Sequence, residues 1–238
     1  MNADEMMKLM TKRERICPEL RRYIQPIQND MKMVNHPLVQ ELFVDIERGA
    51  LLNERLKMKK EMVKKALKEK NILSYIFLHE RPYRLEAFIA YLSRVNVSVS
   101  GKQYWETLMQ IWCDSENIWQ NKYQWMELLN EDHPNKHLMM NAEERKFFKT
   151  FKSEITVYRG YRRGSDRTGL SWTMSIGKAE WFAQRYHREH DQAFVLVGKV
   201  SKDDIHAYTN GRNEQEIITQ KVREVTLAGT YSNKRAIS

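Results

Sequence analysis

The chain has 238 residues, 42% of them hydrophobic, which is enough for one large domain or two small ones and excludes disorder as the default. No segment approaches the roughly eighteen uninterrupted apolar residues of a membrane span and the N-terminus carries no signal-peptide core, so we expect a cytoplasmic protein without a membrane partner. The formal net charge of +9 favours polyanionic partners such as nucleic acids.

Residues 1–152 are predicted to form a helical region, because apolar residues recur there at three- and four-residue spacing. The segments that fit this period are 37–48, 53–70, 82–95, 102–113 and 115–129. Within residues 54–70, eight Lys or Arg accompany three acids, which is typical of a solvated helix face. The same run would also be available to follow a nucleic-acid backbone. Asn141 and Glu144 have the spacing of a capping box that begins the last helix of this region.

Four of the six tryptophans fall within residues 104–126: Trp105, Trp112, Trp119 and Trp125. Seven-residue spacing places the first three on one helix face. A stacking platform for nucleic acid is one interpretation. Large aromatic residues at helical spacing more often pack between helices, so we predict that these side chains are core.

Residues 153–238 are predicted to form a β core, because short β-prone runs alternate there with polar loops. The predicted strands are 155–161, 170–176, 193–200, 216–219 and 222–231, with one helix at 178–187 and a polar loop at 203–213. No flexible linker separates the two regions, so we expect the helical region to pack on this core. The predicted fold class is therefore α+β.

Two motifs occur in order in the first part of the β core. Arg159 is predicted at the end of a strand, next to Gly160, which would let a ligand approach the backbone. A guanidinium there suits a pyrophosphate, although a salt bridge is the commoner role of a lone strand arginine. Ser171 and Thr173 would then share one face of the next strand, with Trp172 on the other face.

The third motif is the pair Glu214 and Glu216, which stand two residues apart and would lie on one side of an extended segment. Two neighbouring carboxylates repel each other, and such an arrangement is favoured where it serves chemistry. Taken alone, the pair fits two solvated acids at a strand edge equally well.

Together these motifs resemble the arginine-serine-glutamate class of mono-ADP-ribosyltransferases, which includes bacterial and phage toxins and vertebrate ecto-enzymes. The resemblance covers residues 154–231 and rests on Arg159, on Ser171-Trp172-Thr173, on Glu214-Gln215-Glu216 and on the segment 179–183. The family's usual Ser-Thr-Ser is Ser-Trp-Thr here, so Thr173 is the looser match. The resemblance implies a mixed β-sandwich of the ADP-ribosyltransferase fold, NAD⁺ as co-substrate and no metal.

The resemblance also implies a role for each motif residue. Arg159 would bind an NAD⁺ phosphate, and Ser171, with Thr173, would order the pocket. Glu216 would hydrogen-bond the nicotinamide ribose, and Glu214 would act on the acceptor. The chemistry agrees, because loss of nicotinamide passes through an oxocarbenium-like state that a carboxylate beside the ribose stabilises.

Neighbouring side chains are further candidates for substrate contacts. Tyr158 or Trp172 would stack on nicotinamide, with core packing as the alternative for either. Four arginines near the motifs are candidates for binding the acceptor: Arg162, Arg163, Arg167 and Arg212.

The acceptor of the ADP-ribose is predicted to be a single-stranded RNA, because the chain is basic and the family includes mRNA-modifying toxins of phage-defence systems. An antitoxin or other inhibitor protein is then a possible partner. The first alternative is transfer of ADP-ribose to an arginine of a protein. The second alternative is that the chain is a basic RNA-binding module without catalytic activity. A third interpretation makes His187, His190 and Asp191 the metal cluster of a nuclease.

Overall fold

The computed structural model describes residues 3–94, 98–116, 118–164, 167–185 and 192–232. The chain divides into two compact units, Met1–Val99 and Ser100–Ser238. Within the described ranges, no helix is both long enough and apolar enough to cross a membrane.

The first unit combines helices with a small antiparallel sheet. Its helices are α1 (Ala3–Thr11), α2 (Pro18–Arg21), α3 (Ala50–Lys68), α4 (Ile72–Phe77) and α5 (Arg84–Leu92). Its strands are β1 (Ile24–Pro26), β2 (Lys32–His36) and β3 (Val39–Phe43), which pair in the order β1-β2-β3. Val34 and Val39 on the sheet pack with Leu52 and Leu56 of α3, which forms the core of this unit.

The small sheet contradicts the prediction that residues 37–48 form a helix. It also contradicts the prediction that all of residues 1–152 are helical. His36 pairs with Val39, so the two residues between them form a tight hairpin loop. Apolar residues at 38, 39, 42 and 43 also fit a helical period. Pairing with β2 satisfies the backbone of this short segment instead, and periodicity alone does not distinguish the two outcomes.

Helix α3 carries the basic run, and its cations are extensively paired with carboxylates. Lys59 lies 2.7 Å from Glu80 and Lys64 lies 2.8 Å from Glu61. Further pairs join Arg55 to Glu41, Lys57 to Glu54, Lys60 to Glu19 and Lys65 to Glu69. This pairing favours the interpretation of the run as a solvated helix face over a track for a nucleic-acid backbone.

The second unit contains four α-helices and six strands in its described residues. The helices are α6 (Gly101–Asp114), α7 (Lys122–Asn130), α8 (Ala142–Lys149) and α9 (Ile176–Gln184). The strands are β4 (Glu154–Arg162), β5 (Ser171–Thr173), β6 (Gln192–Ser201), β7 (Ile205–Thr209), β8 (Glu216–Thr219) and β9 (Arg223–Ser232). They form one sheet in the order β7-β8-β5-β4-β6-β9, and every neighbouring pair is antiparallel.

This sheet confirms the α+β class and corrects two details of the prediction. The described strands form a single antiparallel sheet where a mixed sandwich was expected. The predicted polar loop at 203–213 contains β7, whose residues Ala207 and Tyr208 are buried because they pair with β8 at the sheet edge. The sequence of β7 includes His206 and Thr209, whose polar side chains are also common in loops, so the segment was predicted as a loop. Its apolar residues Ile205 and Ala207 are buried.

Three of the four clustered tryptophans belong to the core, as predicted. Trp105, Trp112 and Trp125 are completely buried, and Trp112 meets Trp125 edge to face with ring centroids 4.9 Å apart. Trp119 is 61% exposed. It lies after α6 has ended at Asp114 and before α7 begins, so the seven-residue spacing does not place it on the same helix.

Candidate active site

A cavity of about 210 Å³ opens in the second unit at the middle of the six-stranded sheet. It brings together all of the residues predicted to be catalytic or to bind the cofactor. Its lining consists of Tyr158, Arg159, Gly160, Ser171, Trp172, Thr173, Phe182, Glu214 and Glu216. The register explains this convergence, because Thr173 of β5 is the partner of both Tyr158 on β4 and Glu216 on β8.

Glu216 is a buried carboxylate held by two donors. Its side chain is among the least accessible in the cavity, with a residue exposure of 4%. Oε1 accepts hydrogen bonds from the Ser171 hydroxyl at 2.5 Å and from the Trp112 indole N–H at 3.1 Å. Burial raises the pKa of Glu216, whereas the bonds from Ser171 and Trp112 and the charge of Arg212 oppose that rise. The carboxylate is therefore oriented before any ligand arrives.

Trp112 is a site residue that the sequence did not reveal. It was predicted only as core, and it stands 104 residues before Glu216 in the chain. A buried indole N–H usually has a hydrogen-bond partner, so the sequence predicts that Trp112 has one but does not identify it. The bond assigns to α6 a direct contact with the candidate catalytic group.

Glu214 forms a close ion pair with Arg212. Nη2 of Arg212 lies 3.1 Å from Oε2 of Glu214 and 4.0 Å from Oε2 of Glu216. The expected repulsion between the two carboxylates is thus offset by a cation next to both. The segment is also not fully extended, because Asn213 and Gln215 adopt left-handed backbone conformations with φ of 55° and 47°.

A chain of hydrogen bonds holds the loop that carries these groups. Oε1 of Glu144, whose other oxygen completes the predicted capping box of α8, accepts from the backbone N–H of Asn210 at 3.0 Å. The side-chain oxygen of Asn210 accepts from the N–H of Gln215 at 3.1 Å. The Thr173 hydroxyl donates to the carbonyl of Glu214 at 2.6 Å. Thr173 thus positions the backbone of the glutamate pair.

Arg159 lies in the middle of β4, whereas it was predicted at the end of a strand. Its Nη1 donates to the carbonyl of Ser171 at 2.6 Å. A side chain at Gly169 would collide with the guanidinium, because a Cβ there would lie 2.1 Å from Nη2. Gly160 also lines the cavity, but its close neighbour is α9, since a Cβ at Gly160 would lie 2.0 Å from the carbonyl oxygen of Ala179. This glycine permits close packing of helix on strand.

A second cavity of about 130 Å³ shares Arg159 and Ser171 with the first. Its other lining residues come from the connection between α6 and α7 and from the segment before β5: Ser115, Glu116, Ile118, Trp119, Lys122, Gly169 and Leu170. The exposed indole of Trp119 and the ammonium of Lys122, which lies 2.8 Å from the Thr168 carbonyl, give it an aromatic and a cationic surface. Arg159 and Ser171 thus border both cavities.

The remaining predicted residues are only partly exposed to the two cavities or lie outside their lining. Trp172 is buried and its indole N–H donates to the Gly169 carbonyl at 2.9 Å, which agrees with the core alternative even though its edge lines the first cavity. Tyr158 is half-buried at the cavity. Arg162 ends β4 and Arg163 follows it, and the described lining of the two cavities does not include them.

A metal centre finds no support in the described part of the chain, where no three His, Cys, Asp or Glu side chains form a ligand group. His187, His190 and Asp191 lie outside the described residues.

Comparison of the chain with protein-family models, with curated proteins and with solved structures found no match.

Proposed function

We propose that this chain is an NAD⁺-dependent mono-ADP-ribosyltransferase, with the six-stranded sheet as its ADP-ribosyltransferase fold and Glu216 as the catalytic carboxylate. The observation that carries the proposal is the meeting in one cavity of Arg159, Ser171 and Glu216, with Ser171 bonded to the carboxylate. These three residue types occur in the order that the resembling family uses.

The geometry of Glu216 suits the proposed chemistry. Two donors occupy Oε1, so Oε2, which lies 4.0 Å from Nη2 of Arg212, is the oxygen that would face the nicotinamide ribose. As the bond between C1′ and the nicotinamide nitrogen breaks, nicotinamide leaves with the electron pair and positive charge develops on the ribose. A preorganised carboxylate in a buried site stabilises that charge without reorganising. The acceptor nucleophile then bonds to C1′ and its proton passes to Glu214.

The pair of adjoining cavities supports a dinucleotide co-substrate. NAD⁺ consists of two nucleotides joined by a pyrophosphate, and Arg159 borders both cavities. A guanidinium in that position would bind pyrophosphate oxygens. The nicotinamide ribose would then lie beside Glu216, and Trp119 with Lys122 would face the adenosine half.

The proposed acceptor is a single-stranded RNA. The net charge of +9 supports it, and the arginines at the end of β4 would contact a phosphate backbone near the site. A toxin-like role in the cytoplasm, restrained by an antitoxin, belongs to the same proposal and rests on the resemblance alone.

The decisive experiment measures NAD⁺ consumption and nicotinamide release by the purified chain and by Glu216→Ala. Removal of one preorganised oxyanion-hole donor from a serine protease costs about 10²- to 10³-fold in kcat, and we expect a loss of at least that order here. Glu127→Ala, which removes an exposed glutamate of α7, serves as the matched control and should keep full activity. Equal release by the wild type and Glu216→Ala would end the proposal.

Acceptor choice needs labelled NAD⁺ with RNA and with total protein, each at two salt concentrations. Labelling of RNA that weakens as salt rises is the expected result, because phosphate contacts release counterions. Labelling confined to protein would replace RNA with the protein alternative. RNA binding without any nicotinamide release would favour the non-catalytic module.

A further inference from the structure

Arg212 lies where a substrate guanidine would have to bind. Its Nη2 contacts Glu214 at 3.1 Å and approaches Glu216 to 4.0 Å. Its Nη1 donates to the carbonyl of Cys113 at 3.1 Å, near the C-terminal end of α6. That carbonyl belongs to the last turn of a helix, where cations are favoured. The guanidinium is therefore held from two sides.

The glutamate that would receive an arginine acceptor is thus already paired within the chain. Glu214 has a side-chain exposure of only 16%, so an incoming group has limited access to the oxygens that Arg212 leaves open. A second guanidinium approaching Glu214 would have to displace Arg212, because Arg212 already lies 3.1 Å from Oε2 of that carboxylate. A position that is already occupied discriminates against a competing group of the same kind.

The same arginine offers the donors through which an anionic acceptor would bind. Nearly half of its side chain, 48%, is exposed, so it can bind a phosphate oxygen without leaving the carboxylate pair. A nucleotide in a polynucleotide offers a phosphate next to neutral hydroxyl and ring-nitrogen nucleophiles. Its phosphate would lie on Arg212 while its nucleophile faces the ribose.

We infer that Arg212 is a specificity-determining residue that excludes guanidine acceptors and selects a nucleotide of a single-stranded RNA. The inference rests on the proposed transfer reaction and names its acceptor class. In the step it governs, an O–H or N–H of the nucleotide bonds to C1′ of the ADP-ribose while the C1′–nicotinamide bond breaks. Nicotinamide leaves with the electron pair, and the proton of the nucleophile passes to Glu214.

The test is a competition between two acceptors in one reaction with labelled NAD⁺. The probes are agmatine, a small guanidine, and a mixed-sequence single-stranded RNA oligonucleotide. The readout is the ratio of labelled RNA to labelled agmatine, which is independent of the overall rate. We compare the wild type with Arg212→Gln, which removes the charge, and with Arg212→Lys, which keeps it. Arg223→Gln on the edge strand β9 is the matched control.

We expect the wild type to favour RNA and Arg212→Gln to lower the ratio by about tenfold or more, because the Glu214 carboxylate that Arg212 occupies then becomes open to a guanidine. Arg212→Lys and Arg223→Gln should keep a ratio near that of the wild type. The salt dependence of RNA labelling should also weaken in Arg212→Gln, with the slope of log rate against log salt reduced by about one.

Three outcomes would overturn the inference. The wild type could label agmatine as readily as RNA, Arg212→Gln could leave the ratio unchanged, or mass spectrometry could find ADP-ribose on Arg212 itself, which would make it an acceptor. Nicotinamide release is followed in every reaction. If release persists in these cases, only the inference fails, whereas absence of release from the wild type would remove the transferase proposal with it.

Discussion

Trp112→Phe tests whether α6 orients Glu216, the proposed catalytic carboxylate. The substitution keeps a buried aromatic ring against Trp125 but removes the N–H that Glu216 accepts at 3.1 Å. A hydrogen bond to a charged group is worth about 1.5–3 kcal/mol, and each 1.4 kcal/mol is about a tenfold change in rate. If the bond matters mainly in the transition state, kcat for nicotinamide release should fall about 10- to 100-fold, with a much smaller change in KM for NAD⁺.

The pH profile of the same variant separates this role from simple packing. In the proposed mechanism the ionised form of Glu216 is the active one. Burial raises the pKa of Glu216, and the bond from Trp112 opposes that rise. Removing the bond raises that pKa further, so the acid limb of kcat should move to higher pH. An acid limb and a kcat that both match those of the wild type would refute the reasoning.

Trp105→Phe is the control for Trp112→Phe. Trp105 is equally buried on the same helix, but its indole N–H donates to the carbonyl of His133 at 3.0 Å. Both variants lose one indole bond and the same volume, so both should lower the melting temperature. Only Trp112→Phe should move the acid limb. A matching shift in Trp105→Phe would assign the effect to a general loosening of α6.

Three further predictions concern stability. Burial raises the pKa of Glu216 above its value in the unfolded chain, so the ionised carboxylate lowers the free energy of unfolding at high pH. This destabilisation disappears as the pH falls and the carboxylate becomes protonated. Glu216→Gln should therefore raise the melting temperature at pH 8, with no gain near about pH 4. Glu144→Ala removes the bonds to Thr209 and Asn210 along with the α8 cap, and should lower the free energy of unfolding by about 1–3 kcal/mol in urea titrations, whereas an unchanged midpoint would contradict the anchoring role. Gly160→Ala forces α9 away from β4 and should cost about 1–3 kcal/mol by the same measurement; a fully stable variant would contradict the close contact.

The sequence by itself determined the features that depend on local spacing. The capping box of Asn141 and Glu144 was predictable because its two bonds join residues three apart. The alternation of side chains along a strand predicted that Ser171 and Thr173 share one face of β5, and both line the cavity. The family resemblance that the ordered motifs carry predicted that Arg159, Ser171 and Glu216 form one group, and they do line one cavity.

The tertiary structure decided which groups act on that cavity from elsewhere. The bond from Trp112 to Glu216 spans 104 residues, and no spacing rule connects the two positions. The pairing of Arg212 with Glu214 depends on the path of a loop with two left-handed residues, which the anchored Asn210 helps to hold. Period and capping are properties of a few consecutive residues, whereas the partners of a buried polar group depend on how distant elements pack. Tertiary packing therefore determines which donors and charges surround Glu216.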